Sequence, residues 1–258
     1  MSAFHIAVLG AIAGVTILFG LPVGRLRAPA PRLRALLNAA AIGVLVFLLW
    51  DILAHAWKPV DGALADHHYG PALRDGAVLA LGLGAGLVGL VYFDRWVAGR
   101  RAAGSHHPAR QLALLIAIGI GLHNFAEGLA IGNSASRGEL DLALLLVIGF
   151  GLHNATEGFG IVAPLAASDA RPSWGYLGLL GLIGGGPTFF GTLVGQRFTN
   201  PTVSVAFLAL AAGSILYVVI ELLAVGRKLA VKEITTWGIV VGLLAGFATD
   251  AILTAGGA

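Results

Sequence analysis

The sequence predicts an all-α integral membrane protein built from eight transmembrane helices. The 258-residue chain is 57% hydrophobic and only 11% charged, whereas soluble domains carry about 25% charged residues. Its mean hydropathy is +0.88, and apolar stretches of roughly 20 residues, enough to cross about 30 Å of hydrocarbon, recur along the whole chain. Because the connections are short, we expect residues 1–258 to form a single polytopic transmembrane domain.

Short polar or basic segments separate the eight predicted spans. Their approximate bounds are 3–22, 36–57, 72–93, 111–132, 142–165, 174–194, 203–224 and 234–254. The first span ends in a basic cluster rather than a small-residue cleavage site, so we expect a retained helix and not a signal peptide. In the sixth span, the run from Gly184 to Pro187 removes a backbone donor and indicates a hinge, a carbonyl-lined cavity or a packing kink.

Basic residues lie mainly on one side of this predicted bundle. The loops after spans one, three, five and seven hold twelve of the sixteen Lys and Arg residues, namely Arg25, Arg27, Arg32, Arg34, Arg95, Arg100, Arg101, Arg110, Arg171, Arg227, Lys228 and Lys232. Positively charged loops stay in the cytoplasm, so both termini are predicted to lie outside it. These charges follow the membrane surface over four loops, which argues against nucleic-acid binding.

One polar phrase occurs twice, in spans four and five. Residues 118–131 read IGIGLHNFAEGLAI and residues 148–161 read IGFGLHNATEGFGI, identical at nine of fourteen positions. A buried glutamate without a partner costs several kcal/mol. The presence of two such glutamates in equivalent positions therefore indicates one shared role. On a helix, His and Glu four residues apart share one face and can present nitrogen and oxygen ligands to one metal ion.

The repeated phrase predicts a metal site at mid-membrane. Its ligands are His123, Glu127, His153 and Glu157, with Asn124 and Asn154 either auxiliary ligands or interhelical hydrogen-bonding groups. The alternative is a pair of His–Glu hydrogen bonds that lock two helices together. The chain has no cysteine, and mixed nitrogen and oxygen ligands suit Zn²⁺ while also admitting Fe²⁺, Mn²⁺, Co²⁺ or Cd²⁺.

Each of the other ionisable groups inside the spans has two possible roles. Asp51 and His55 repeat the four-residue spacing in span two, as a first binding site for cations or as an interfacial pair. Glu221 in span seven is a release-side ligand or proton acceptor, or it reaches the headgroups. In the loops, the doublets His67-His68 and His106-His107 are either simply solvated or capture metal weakly.

At HNFAEG and HNATEG the chain resembles bacterial members of the ZIP (Zrt/Irt-like protein) family of divalent metal transporters. The resemblance covers nearly the whole chain. It implies a primary transport site at His123, Glu127, His153 and Glu157, a neighbouring second metal near Asn124 and Asn154, and a carboxylate-rich stretch at Glu221. It also implies transport toward the cytoplasm, with spans one, four, five and six moving as a unit against the others, in a homodimer of a bacterial inner membrane.

The chain departs from the family pattern at three places. Ala126 and Thr156 stand where many members have proline before the glutamate, which predicts less helix unwinding. Gly186 precedes Pro187 where many bacterial members have a glutamate, which removes a ligand of a second metal. The carboxylate usual after the span-two histidine is missing, and Asp51 can substitute for it.

The sequence favours a transporter over an enzyme. A metal-dependent intramembrane hydrolase could use the same ligands to activate water, but the chain lacks H-E-x-x-H and leaves no separate base. A metal sensor without flux is the third alternative. We expect no cofactor, with the metal ion as cargo and the lipid bilayer as the surrounding partner.

Overall fold

The protein is an all-helical bundle. The structure, a computed structural model, describes residues 1–25, 31–101, 108–166, 171–229 and 232–256, and no strand occurs in these ranges. In chain order the α-helices are α1 (Ala3–Val15), α2 (Pro31–Ala65), α3 (Tyr69–Arg101), α4 (Pro108–Ser136), α5 (Leu140–Ala166), α6 (Trp174–Gly195), α7 (Pro201–Leu229) and α8 (Lys232–Gly256).

Seven of these helices, α2 to α8, are long and apolar enough to cross a membrane. The first predicted span differs, because the apolar helical stretch Ala3–Phe19 is shorter and two 3-10 segments, Thr16–Phe19 and Leu21–Arg25, follow α1. The Thr16 hydroxyl donates to the Ala13 carbonyl at 2.7 Å, which competes with regular helical bonding where the change occurs. Within the predicted span of about 3–22, the chain is therefore α-helical as far as Val15 and continues in 3-10 segments.

The helices form two groups. The first group contains α1, α4, α5 and α6, with α4 packed chiefly on α6 and α5. The second group contains α2, α3, α7 and α8, with α2 packed chiefly on α8 and α7, and α3 on α7. Both groups follow the small-residue packing expected where lipid supplies no hydrophobic drive between helices.

Inside each group, glycines bring helix backbones into direct contact. A Cβ at Gly128 of α4 would meet the Thr188 carbonyl of α6, and one at Gly185 would meet the Gly14 carbonyl of α1. In the second group, a Cβ at Gly242 of α8 would meet the Ala40 carbonyl. The contacts within a group therefore do not tolerate a larger residue without moving a helix.

Between the groups, side chains make the contact. Gly149 of α5 faces the Leu48 side chain of α2, and Gly119 of α4 faces the Phe93 ring of α3. A continuous apolar core fills the rest of this boundary, including Ile131. Side chains can change rotamer whereas backbones cannot yield, so the boundary between groups is the softer one.

Helices α3 and α8 lie at the periphery. Only 11% of the most apolar window of α3 and 17% of that of α8 is buried, against 44 to 67% for the other five long helices. The exposed face of α3 carries Leu73, Leu81 and Tyr92. These two helices therefore present the largest apolar surfaces to lipid or to a partner.

Candidate metal centre

The two HN-x-x-EG motifs meet in the first group. Helices α4 and α5 are consecutive, joined by a short turn, and packed against each other, and each motif lies near the middle of its helix. His123 Nε2 lies 2.6 Å from Glu157 Oε1 in a hydrogen bond, and His153 Nε2 lies 2.9 Å from the same oxygen. The predicted proximity of the four side chains is what the packing of α4 on α5 produces.

A metal-sized arrangement of ligand atoms lies beside this hydrogen bond. One atom each of His123, Glu127 and His153 lies within 4.8 Å of the other two, and no other such group of three occurs among the described residues. All three side chains are buried, with relative exposures of 3%, 0% and 0%. Glu157, 6% exposed, is not part of this group of three, and its Oε1 contacts both imidazoles.

Glu127 is the least satisfied of these groups. Neither of its carboxylate oxygens has a hydrogen-bond partner in the described part of the chain, although the residue is fully buried. An unpaired carboxylate in a low-dielectric interior is strongly unfavourable, so the arrangement suits a bound cation. A pure His–Glu lock between two helices would not need this second, unpaired glutamate.

Asn124 and Asn154 tie the motifs to the other helices of the group. Asn124 Nδ2 donates to the Gly184 carbonyl of α6 and Asn154 Nδ2 donates to the Ala13 carbonyl of α1, both at 3.0 Å. Each amide oxygen is buried without a hydrogen-bond partner. The amides therefore act as interhelical bonds, and their oxygens keep the capacity to accept or to bind a cation.

Both motif helices run unbroken through the site. Helix α4 continues through Ala126 and α5 through Thr156, whose hydroxyl donates to the His153 carbonyl at 2.7 Å. Helix α6 also continues through Pro187. The carbonyl of Gly184 faces α4 rather than a cavity, because it accepts from Asn124.

Asp51 and His55 lie in the second group, away from this centre. Asp51 is buried, at 7% exposure, and His55 is partly exposed. His55 Nδ1 is 2.9 Å from the Asp51 carbonyl oxygen and 3.5 Å from Asp51 Oδ2. His55 lines a cavity of about 490 Å³ between the two groups, on the side where α4 turns into α5.

The remaining candidates are not part of the centre. Glu221 is exposed near the end of α7. His67 and His68 are exposed in the turn between α2 and α3, where His67 adopts a left-handed conformation with φ of 58°. His68 N donates to the Ala63 carbonyl at 2.7 Å, which makes this turn a Schellman motif with histidine in place of the usual glycine. His106 and His107 lie outside the described residues.

Sequence reasoning missed the partners that hold the site. The carbonyls of Ala13 and Gly184 carry no sequence signal, because every residue has a carbonyl. The cavity residues Glu139 and Asp141 also went unnoticed, although two acidic residues beside Arg137 at a helix start could have indicated them.

Comparison with known proteins agrees with the site. The family model described as the ZIP zinc transporter matches residues 97–254, more than half of the chain and both motifs. A comparison with individually characterised proteins gives no significant match. The chain belongs to the ZIP zinc transporter family.

Proposed function

We propose that this protein carries divalent transition-metal ions, Zn²⁺ foremost, across its membrane toward the cytoplasm through the His and Glu side chains of α4 and α5. Membership of a family of multi-pass metal transporters supports the transport step. The observation that carries the site is the fully buried Glu127, whose two oxygens lack hydrogen-bond partners beside His123 and His153.

The charge of the ligand set matches a dication. Two neutral imidazoles and the carboxylates of Glu127 and Glu157 sum to the opposite of the ion's charge, which offsets much of the desolvation cost. Imidazole and carboxylate without thiolate suit zinc and leave room for Fe²⁺, Mn²⁺, Co²⁺ or Cd²⁺. Because Glu157 Oε1 already lies between the two imidazoles, binding would exchange that contact for metal bonds. Gly186, with no side chain to offer, favours one ion over two.

We propose that α1, α4, α5 and α6 move as one body against the second group, in an elevator-type alternating-access cycle. Backbone contact at glycines joins the helices within a group, whereas side chains meet across the boundary. On the side of the α4–α5 turn, the apolar residues Leu142 and Leu208 line the cavity and also belong to the buried core that contains Ile131, one turn from Glu127. In this proposal the core closes the path between the cavity and the metal centre in one end state of the cycle.

The distribution of basic residues supports the orientation. With the basic loops in the cytoplasm, the α4–α5 turn and both termini would lie outside it. Helix α1 with its 3-10 continuation to Phe19 would then be the eighth span, since a length of roughly 28 Å approaches the hydrocarbon thickness. We also propose a homodimer in a bacterial inner membrane, supported by the family resemblance and by the exposed faces of α3 and α8.

Uptake of radioactive zinc into proteoliposomes tests this function. We expect saturable uptake that Glu127→Gln and His153→Ala abolish, while Glu233→Gln and His5→Ala, at exposed positions, retain it. Competition by iron, manganese, cobalt and cadmium would rank the metals. Well-folded protein that binds zinc without uptake would contradict transport and favour a sensor, and zinc-dependent hydrolysis of a lipid or peptide would favour an enzyme.

A further inference from the structure

At the end of the first group opposite the α4–α5 turn, two arginines and a tryptophan lie near the start of α6. Arg25 ends the 3-10 segment Leu21–Arg25, and Trp174 begins α6. Arg171 is exposed in the segment just before that helix. We propose that this surface binds an anionic phospholipid, with Arg25 and Arg171 holding the headgroup phosphate and the adjacent face of α6 holding an acyl chain. The inference goes beyond metal transport and requires only that the bundle spans a membrane.

The start of α6 fixes the Arg25 guanidinium in place. Its Nη1 donates to the Pro172 carbonyl, and its central carbon lies 4.8 Å from the centroid of the Trp174 ring. These contacts use one N–H group and one face of the planar group, and no other described residue accepts a hydrogen bond from it. The remaining N–H groups are therefore available to an external acceptor, and a guanidinium held in this way can bind phosphate oxygens in pairs.

The positive charge at this surface is not neutralised within the described part of the chain. No described carboxylate forms an ion pair with Arg25 or Arg171. At the opposite end of the bundle, by contrast, Arg74 donates to both carboxylate oxygens of Asp75, at 2.9 and 3.2 Å. The N-terminus of α6 adds the positive end of its helix dipole. Unpaired positive charge at the edge of a transmembrane helix attracts anionic lipid headgroups.

Beside the arginines, a shallow apolar groove follows the lipid-facing side of α6. Trp174, Gly178 and Leu182 are spaced about one turn apart on this side, and a Cβ at Gly178 would meet nothing within 4 Å. Leu18, in the 3-10 segment after α1, packs against Gly181 at the edge of the groove. The side chains of Trp174, Leu182 and Leu18 are exposed. The groove therefore has apolar walls and an open floor where a lipid chain can lie.

An anionic phospholipid matches both parts of this surface. Tryptophan favours the boundary between headgroups and hydrocarbon, so Trp174 marks the level at which a headgroup joins its acyl chains. A phosphate just above that level can reach the arginines, while a chain below it passes Gly178 toward Leu182. A soluble anion would use only the arginines, and the ammonium group of a zwitterionic lipid would be repelled by them. The lipid would thus hold one end of the first group at the membrane surface.

Lipid binding to the purified full-length protein tests the proposal without zinc. Native mass spectrometry in detergent would measure the Kd of phosphatidylglycerol and of phosphatidylcholine with the same acyl chains. We expect phosphatidylglycerol to bind at least about fivefold more tightly. Arg25→Gln and Arg171→Gln should each weaken it about fivefold, the effect expected of one basic residue near an anionic surface. Arg197→Gln, exposed at the opposite end, is the matched control and should stay within about twofold, because charges so far apart are screened.

Two further measurements separate charge from damage to the fold and lipid from soluble anion. Arg25→Lys keeps the charge without the planar group, so we expect a loss of about twofold, smaller than that in Arg25→Gln. Inorganic phosphate at the lipid's concentration should not displace the lipid, because the acyl chain supplies part of the affinity.

Four results would overturn the proposal. They are displacement of the lipid by phosphate, equal losses in Arg25→Lys and Arg25→Gln, equal affinity for the two lipids, and a preference for phosphatidylglycerol that survives in Arg25→Gln/Arg171→Gln. None of them would bear on the transport function, since no zinc is present.

Discussion

Glu157 Oε1 and His123 Nε2 are joined by a hydrogen bond of 2.6 Å. A carboxylate of α5 and an imidazole of α4 therefore contact each other at the point where a metal would bind both. Zinc can bond to His123 Nε2 only when that nitrogen carries no proton and no longer shares this hydrogen bond with Glu157. The hydrogen bond is therefore a competitor of the metal and a source of pH dependence.

Below the pH at which His123 becomes a neutral imidazole, zinc binding should release about one proton from this bond, whereas at higher pH the proton can move from Nε2 to Nδ1 and none is released. Calorimetry at one pH in buffers of different ionisation enthalpy measures the number directly, since the apparent heat varies with the buffer in proportion to the protons released. His123→Ala should remove the effect with the metal site. Heats that do not vary with the buffer would mean that the proton moves from Nε2 to Nδ1 of a neutral His123, whereas unchanged zinc binding in His123→Ala would contradict the direct coordination of zinc by His123.

The Glu127 carboxylate should lower the stability of the metal-free protein and be required for zinc binding. Because its carboxylate is buried without hydrogen bonds, Glu127→Leu should stabilise the protein in chelator by about 1–3 kcal/mol while abolishing the rise in Tm that zinc produces. Thermal unfolding in detergent with and without zinc measures both effects. Glu233→Leu, at an exposed position, should change neither, and a Glu127→Leu variant still stabilised by zinc would contradict the assignment of this ligand.

Asn124 and Asn154 should contribute to stability even without metal. Each donates to a carbonyl of another helix, and hydrogen bonds between membrane helices contribute about 0.6 kcal/mol on average. Asn124→Ala and Asn154→Ala should therefore each lower Tm in chelator by about 1–2 °C. Unchanged Tm in both variants would show that these amides do not hold the helices together.

Substitution of a glycine should be costly inside a helix group and tolerated on its outer face. Gly128→Ala places a methyl group against the Thr188 carbonyl, whereas a Cβ at Gly178 on the same group would meet nothing within 4 Å. We expect Gly128→Ala to cost at least about 1–3 kcal/mol and to impair uptake, and Gly178→Ala to be tolerated. Equal tolerance at both positions would mean that the close packing of α4 on α6 is not required.

A disulfide across the boundary between groups should arrest transport reversibly. The chain has no cysteine, and the Leu48 side chain directly faces Gly149, so a Leu48→Cys/Gly149→Cys pair can be oxidised without background. Uptake should fall on oxidation and return on reduction with dithiothreitol, with the single variants unaffected. Full uptake by completely cross-linked protein would rule out relative movement of the two groups at this contact.

The sequence predicted that the side chains of the two motifs lie close together, because the relevant signal is local. A fourteen-residue phrase repeated on consecutive helices determines which residues share a face and at what depth, so the meeting of His123 with Glu157 follows from periodicity and a short turn. The bonds of Asn124 to Gly184 and of Asn154 to Ala13 depend on which distant helix packs alongside, and no local pattern encodes a backbone carbonyl.

The same distinction explains the change of helix type within the predicted first span. Hydropathy extends evenly from residue 3 to 22, but a Cβ at Gly20 would meet the Ala155 carbonyl of α5. This close approach accompanies the change from α1 to 3-10 segments. It is a tertiary contact, which the hydropathy of the sequence cannot predict. The cavity at His55 likewise arises from three separate helices and a turn.

Anomalous diffraction at the zinc edge from crystals of the zinc-loaded protein tests the central claim most directly. The account predicts a peak in the middle of the bundle at about 2.0–2.2 Å from nitrogen and oxygen ligands supplied by both α4 and α5, Glu127 among them. A peak confined to surface histidines such as His67 and His68, with none between α4 and α5, would contradict it.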